Sequence, residues 1–394
     1  MKLSHRLIVS FLAAVAIYGQ SLASGVIVRV TDPSVISSIV VDYPAILGVQ
    51  QAGHSPFVRF EVADEAFDSL ESALQADPRI KYAEEEDTFN EPENQSGHGS
   101  SVAAIYDRGA VFAQNNNLWK QINFAPNTRK FSPIKVGIVD TGVSPLQPSI
   151  RANVIAGASF VQGGLTIDDL PTGIDTNLNG IVDEGAGHGT MVAGIILQLA
   201  PNTPLVIAKS ADSDGIATSW TVLEGVVFCI ENGSKVINIS LGSPTHLVGF
   251  SQFLDWVGQQ GSVIVSPIGN NGIRTTLYPA GYSSVICVSG LLPDNTKAPF
   301  SNWDGSARVS APATGILSAW YDGGTAIWSG TSFSAPLVAG CIASALVVNP
   351  TKLPGDIRNA VKNCGKDIDN LNPLYHGQLG KLLDFMSLSS LLKR

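Results

Sequence analysis

The sequence predicts an α/β fold: a mostly parallel sheet with helices on both faces, preceded by a small α+β unit. Two observations point there. From about residue 113, short β-branched runs alternate with longer apolar segments of helical spacing, most of them closed by Gly or Pro. Such alternation argues a parallel sheet with crossover helices. Ahead of it, the charge is of a different kind. Residues 24–93 carry 14 acidic and 4 basic side chains, while the 394-residue chain as a whole has a net charge of only −9. The acidity therefore belongs to one N-terminal segment. With 44% apolar and 14% charged residues, the chain can bury a large core, which excludes a disordered protein. The near-neutral remainder carries no basic stripe, so nucleic acid is excluded as a partner.

The elements follow in order. Residues 1–23 read as a secretory signal peptide. Lys2, His5 and Arg6 precede an apolar run from Leu7 to Tyr18, and Ser21-Leu22-Ala23 supplies small residues for cleavage. A membrane anchor at this end stays open as the alternative. Residues 24–89 read as the α+β unit, with strands at 25–30 and 56–62, a helix at 66–75 and a last strand at 80–83. Residues 90–112 read as a linker, polar and punctuated by Pro92, Gly97 and Gly99. Residues 113–394 form the large domain. Strands are expected at 135–139, 205–208, 236–240, 263–266 and 285–289. Helices are expected at 190–199, 220–232, 250–260 and 332–348. The apolar run from Leu337 to Val348 is too short to span a bilayer and reads as a buried helix.

Three segments carry the chemistry. Val139-Asp140-Thr141-Gly142 comes first, Gly187-His188-Gly189-Thr190 second, and Gly330-Thr331-Ser332-Phe333-Ser334-Ala335-Pro336 third. A serine hydroxyl attacks an acyl carbon only when a base takes its proton, and the base needs an acid to fix its tautomer and hold its cation. Asp140 ends a strand, where sites of such sheets lie. The expected helix at Ser332 aims its N-terminal dipole at developing negative charge. Gly97-His98-Gly99 imitates the second segment but stands in the polar linker, with Ser100 in place of Thr, and reads as linker.

With these motifs the chain resembles the subtilisin-like serine protease family, over roughly residues 113–385. The resemblance implies a three-layer α/β catalytic domain and a serine endopeptidase cutting proteins or peptides through an acyl-enzyme. It implies Ser332 as nucleophile, His188 as general base and acid, and Asp140 as its orienter. The Gly269-Asn270 turn after a strand is similar to the family's oxyanion turn and implies Asn270 as side-chain donor, with Asn271 the competing position. Ser240-Leu241-Gly242 matches the stretch that pairs with substrate backbone as an added strand. Leu277-Tyr278-Pro279 matches the base of the specificity pocket. The family often has Gly at the Leu277 place, so Leu277 is expected to shorten that pocket. Met191 stands where a second His is common, and Phe333 where Met is frequent.

Residues 25–89 resemble the family's inhibitory propeptide through Asp77-Pro78-Arg79-Ile80-Lys81-Tyr82 and the acidic run after it, implying a ferredoxin-like unit. The expected partners are protein or peptide substrates and the chain's own propeptide. The expected state is a monomer, secreted to the extracellular space or a periplasm, free of the membrane once the signal is removed. A catalytically silent scaffold of the same fold, or an esterase or acyltransferase on the same triad, are the rivals.

No cofactor is required for this chemistry. Asp175-Thr176-Asn177-Leu178-Asn179-Gly180-Ile181-Val182-Asp183 has the alternating oxygens and sixth-place Gly of a calcium loop, but Ala186 stands where a closing Glu belongs. A structural calcium and a solvated turn both stay open. The four cysteines, Cys229, Cys287, Cys341 and Cys364, are not closely spaced, and buried thiols are expected. A Cys341–Cys364 bridge between successive helices is the one pairing the spacing suggests.

Overall fold

The computed structural model describes residues 23–92, 100–102, 108–126 and 133–394. Most of the expected signal peptide and His98 of the linker lie outside these residues.

The N-terminal unit is a four-stranded antiparallel sheet of β1 (Ala23–Val30), β2 (Ile46–Gln51), β3 (Phe57–Ala63) and β4 (Ile80–Glu85), in the order β2-β3-β1-β4. Helices α1 (Ile36–Asp42) and α2 (Phe67–Ala76) complete a ferredoxin-like arrangement. Val26, Val28 and Val30 alternate along β1 and meet Phe60, Leu70 and Leu74 in a core of their own. The opposite face of this sheet is apolar where it meets the large domain, through Ile27 and Phe57.

Strand β5 (Thr88–Asn90) follows, then β6 (Ser100–Val102). Helix α3 (Arg108–Gln114) straddles the expected start of the large domain at 113, with Val111 buried in the main core. Helix α4 (Asn116–Gln121) comes next.

The large domain is built on β7 (Val136–Asp140), β8 (Val154–Ser159), β9 (Leu205–Lys209), β10 (Ile216–Thr218), β11 (Val236–Ile239), β12 (Val263–Pro267), β13 (Val285–Leu291), β14 (Val309–Pro312), β15 (Ile316–Ala319), β16 (Thr325–Trp328) and β17 (Lys381–Leu382). Eight of them form one parallel sheet, β17-β14-β13-β12-β11-β7-β9-β8. Its helices are α5 (Pro148–Arg151), α6 (His188–Leu199), α7 (Ser219–Glu231), α8 (Val248–Gln259), α9 (Thr331–Leu346), α10 (Pro354–Asn363) and α11 (Phe385–Lys393).

Continuous apolar strands feed two cores, because side chains alternate across the sheet. Ile138, Ile207 and Val265 face α6 and α9, whereas Val139, Ala208 and Ile264 face α7 and α8. The helix at 331–346 is buried along its whole length, as its unbroken apolar sequence requires. Among the described residues no helix is long and apolar enough to cross a membrane.

The Cys341–Cys364 bridge is not formed. All four cysteines are free and buried. Burial pushes the Cys341 thiol well above its ordinary range, with Cys364 adding to it. The Cys364 thiol donates instead to the Val361 carbonyl at 3.2 Å.

Candidate active site

Asp140 ends the buried strand β7, and His188 opens helix α6. Their side chains meet: His188 Nδ1 donates to Asp140 Oδ1 at 2.8 Å, and both residues are fully buried. The Thr141 N–H donates to the same carboxylate oxygen at 2.8 Å. The glycines around His188 are a matter of space. Gly187 has φ +94°, a conformation that favours Gly, and a Cβ on Gly189 would collide with the Gly142 carbonyl oxygen. Asp169, which carried no signal in the sequence, anchors this helix start. Its buried carboxylate accepts from Gly187 N–H at 2.8 Å, Thr190 N–H at 2.9 Å and Thr190 Oγ1–H at 2.6 Å.

Ser332 lies in the first turn of α9, and its neighbour Phe333 packs against His188. The Phe333 ring centroid stands 5.2 Å from that of His188 and 5.3 Å from that of Trp328. Pro336 sits inside this helix and has no N–H, so the Ser332 carbonyl loses its helical donor. Ser240 supplies one: its Oγ–H donates to the Ser332 carbonyl at 2.9 Å. A residue expected to touch substrate thus also holds the Ser332 turn. Asn270 is fixed by its other end. Its Oδ1 accepts from Thr331 N–H at 2.9 Å and Thr331 Oγ1–H at 2.8 Å, which assigns the side-chain NH2 as the donor end. Asn271 is held otherwise, its N–H donating to Asn302 Oδ1 at 3.0 Å.

The expected substrate stretch is occupied by the chain itself. Strand β5 pairs antiparallel with β10, and Asn90 pairs with Gly242. Leu241 is buried in the same core as Phe89, whose ring lies 5.4 Å from Phe250. Glu91 follows, its N–H donating to the Gly215 carbonyl at 3.2 Å. Its buried carboxylate comes within 3.4 Å of His188 Nδ1. Among the described residues, Glu91, Asp140 and His188 are the one group of three or more such side chains with converging ligand atoms, all within 4.8 Å. Neither Phe89 nor Glu91 could be found from local pattern, since both fall at the edge of a segment that reads as linker.

Leu277 reaches between the two walls of the expected pocket. A Cβ on Gly242 would stand 3.1 Å from Leu277 Cβ, and one on Gly269 only 2.8 Å from Leu277 Cγ. Trp320, Tyr321 and Trp328 line a cavity of about 350 Å³ on the flank of the His188 turn, with Ile181 and Val182 opposite.

The 175–183 loop is tied by its own hydrogen bonds. Asp175 accepts from the Asn179 and Gly180 N–H groups, Asp183 from those of Thr172 and Gly173, and Glu184 from the side-chain amides of Asn177 and Asn179. The loop's carboxylates therefore already serve as turn acceptors.

Acidic groups also line the contact between the two units. Glu84 accepts from Gly249 N–H and Phe250 N–H, both at 2.8 Å, at the N-terminus of α8. Burial nevertheless raises its carboxyl above the usual range. Burial likewise pushes Glu224 on α7 up to about 7, with Glu86 of the N-terminal unit adding to it and Arg59 opposing.

Residues 132–375 match the model of the subtilase family of peptidases. The chain is 29% identical over 311 residues to a thermophilic serine proteinase of Bacillus sp. (strain AK1), covering 76% of this chain and 71% of that one. It is 31% identical over 262 residues to subtilisin DY of Bacillus licheniformis, covering 63% and 89%. Its fold is similar to that of fervidolysin from Fervidobacterium pennivorans, with a TM-score of 0.71 at 23% identity, over 94% of this chain and 61% of that one.

Proposed function

The chain belongs to the subtilase family and is a serine endopeptidase, and from that premise we propose that it is a secreted zymogen whose residues 24–89 are an inhibitory propeptide. Subtilases need no cofactor for catalysis. In the reaction, Ser332 Oγ attacks the scissile carbonyl and passes its proton to His188 Nε2. Asp140 holds the Nδ1–H and balances the imidazolium. Asn270 Nδ2 and the Ser332 backbone N–H take the oxyanion. His188 then returns the proton to the leaving amine, and water repeats the cycle on the acyl-enzyme.

The observation that carries this reading is the course of β5. An extended segment of the same chain lies beside Gly242 as a substrate strand would, and leads directly to the His188–Asp140 pair. Ser240, Leu241, Gly242 and Leu277 are the substrate-binding residues in this reading. The acidic residues at 84–87 help dock the propeptide, and the maturing cut falls after Glu91, within 92–113.

The test is the Ser332→Ala chain. It should accumulate uncut at full length, while the wild-type chain shortens and takes up a fluorophosphonate label on Ser332. A Ser332→Ala chain that still matures in pure form removes self-processing from the proposal. Casein digestion far exceeding short-chain ester turnover separates a peptidase from an esterase on the same triad.

A further inference from the structure

We propose that Glu91 is an electrostatic lock on the catalytic base: while the propeptide is docked, its carboxylate keeps His188 protonated, so self-cleavage waits for higher pH. The proposal rests on the zymogen reading above.

The geometry is specific. Among the described residues, the His188 Nδ1–H faces two buried carboxylates, Asp140 Oδ1 at 2.8 Å and Glu91 Oε1 at 3.4 Å. Asp140 belongs to the enzyme, whereas Glu91 arrives with the propeptide strand. Backbone bonds hold it there, from Glu91 N–H to Gly215 and between Asn90 and Gly242. The carboxylate also packs closely against the backbone at Gly185, where an added Cβ would stand 3.0 Å from Glu91 Oε1. An opposite charge within about 4–6 Å shifts a titration by roughly 1–3 pH units toward the charged form. Burial strengthens the interaction. A second carboxylate on His188 therefore favours the imidazolium, with its second proton on Nε2. That nitrogen must be bare to accept the Ser332 proton. As pH rises the Nε2 proton leaves to solvent and the base becomes competent. Once the strand is cut and leaves, the second carboxylate goes with it, and the mature site works at lower pH than the precursor.

Other charges on the flanking elements are committed elsewhere. Asp169 serves the start of α6, and Asp183 and Glu184 serve the 172–184 loop. Asp212 accepts from the Asp214 and Ile216 N–H groups, and Asp214 from those of Thr176 and Asp183. Lys209, the cation at the end of β9, donates to the Thr141 carbonyl at 2.6 Å. Among the described residues, Glu91 and Asp140 are thus the carboxylates placed to set the charge of His188.

The experiment compares full-length chains. Wild type and Glu91→Gln are refolded at pH 5, jumped to a series of pH values up to 9, and followed for first-order loss of the uncut band. Both should cut, with the Glu91→Gln midpoint lower by about one pH unit or more. The mature enzymes from the two chains should then show identical pH profiles on a peptide substrate. Glu91→Ala should shift the midpoint in the same direction, which covers a Gln chain that fails to fold. A changed subsite preference would scale the rate at every pH without moving the midpoint. Coincident midpoints, or a higher midpoint for the variants, overturn the lock. A wild-type chain that never cuts itself and takes no fluorophosphonate overturns the zymogen reading beneath it.

Discussion

Asn90 and Gly242 exchange two backbone hydrogen bonds, 2.9 Å from the Asn90 N–H and 2.8 Å in return. This bridge sets the register of β5, so that Phe89 falls into an apolar pocket beside Phe250 and Glu91 falls beside His188. Phe89 is the anchor, being 1% exposed. In the Ser332→Ala background, Phe89→Ala should weaken the docking of this strand by about 3 kcal/mol, the ordinary cost of removing a buried ring. Hydrogen exchange at the Asn90 N–H should then quicken roughly a hundredfold. Unchanged protection would mean that the strand is held from elsewhere.

The Leu277 side chain packs against Gly242 and Gly269, where the proposed substrate pocket would lie. The mature enzyme should therefore cut after small residues and work slowly after Phe and Tyr. Leu277→Gly should raise the relative rate after Phe about tenfold, since a few methylene groups in an apolar pocket are worth that much. A peptide library read by mass spectrometry decides it. Fast cleavage after aromatic residues by the unaltered enzyme would show that the side chain moves aside.

Asn270 is locked at its oxygen by Thr331, which leaves one donor arrangement. Asn270→Ala should lower kcat by about 10²–10³ with KM nearly constant, the cost of one oxyanion donor in a family relative. Stopped-flow turnover on a chromogenic peptide measures the split, and a thermal melt checks that losing the Thr331 bonds has not unfolded the chain. An equal rise in KM would assign Asn270 to substrate binding instead.

Five strands of the central sheet and four of its helices could be read from the sequence because those strands are buried on both faces and those helices are largely apolar, whereas the polar α10 gave no such signal. Val136–Asp140 and Thr331–Leu346 are such segments. The short strands β10, β14, β15, β16 and β17 escaped notice, since two to four residues carry no period to detect, and so did β8, whose half-exposed residues form no continuous apolar run. The Asp140, His188 and Ser332 motifs stand out because glycines crowd around them, and Gly189 shows the reason: a side chain there would strike the strand turn at Gly142. Phe89, Glu91 and Asp169 were invisible for the opposite reason. Their surroundings come from residues tens to hundreds of positions away, and a polar segment looks the same whether it crosses solvent or lies in a cleft.

Glu224 gives the contact between the two units a pH dependence of its own. Its carboxyl titrates at about 7 in the folded chain, against 4.5 ordinarily, through burial first and Glu86 second. The folded state therefore holds a proton that the unfolded state has released between these values. Such a group costs nothing below about pH 4.5, and its penalty accumulates as pH rises from there to about 7, above which it is complete. The full displacement would correspond to about 3 kcal/mol, but the carboxyl keeps some contact with solvent, so about 1–2 kcal/mol is expected. Glu84 is displaced in the same direction and adds to the slope. In the Ser332→Ala background, Glu224→Gln should leave urea stability nearly unchanged at pH 4.5 and raise it at pH 8. Because Glu224 is present in both the wild-type and Glu91→Gln chains, it contributes equally to their maturation profiles. A stability difference that is the same at both pH values would mean that the folded and unfolded chains hold the Glu224 proton alike, and the contact would then owe its pH response to other groups.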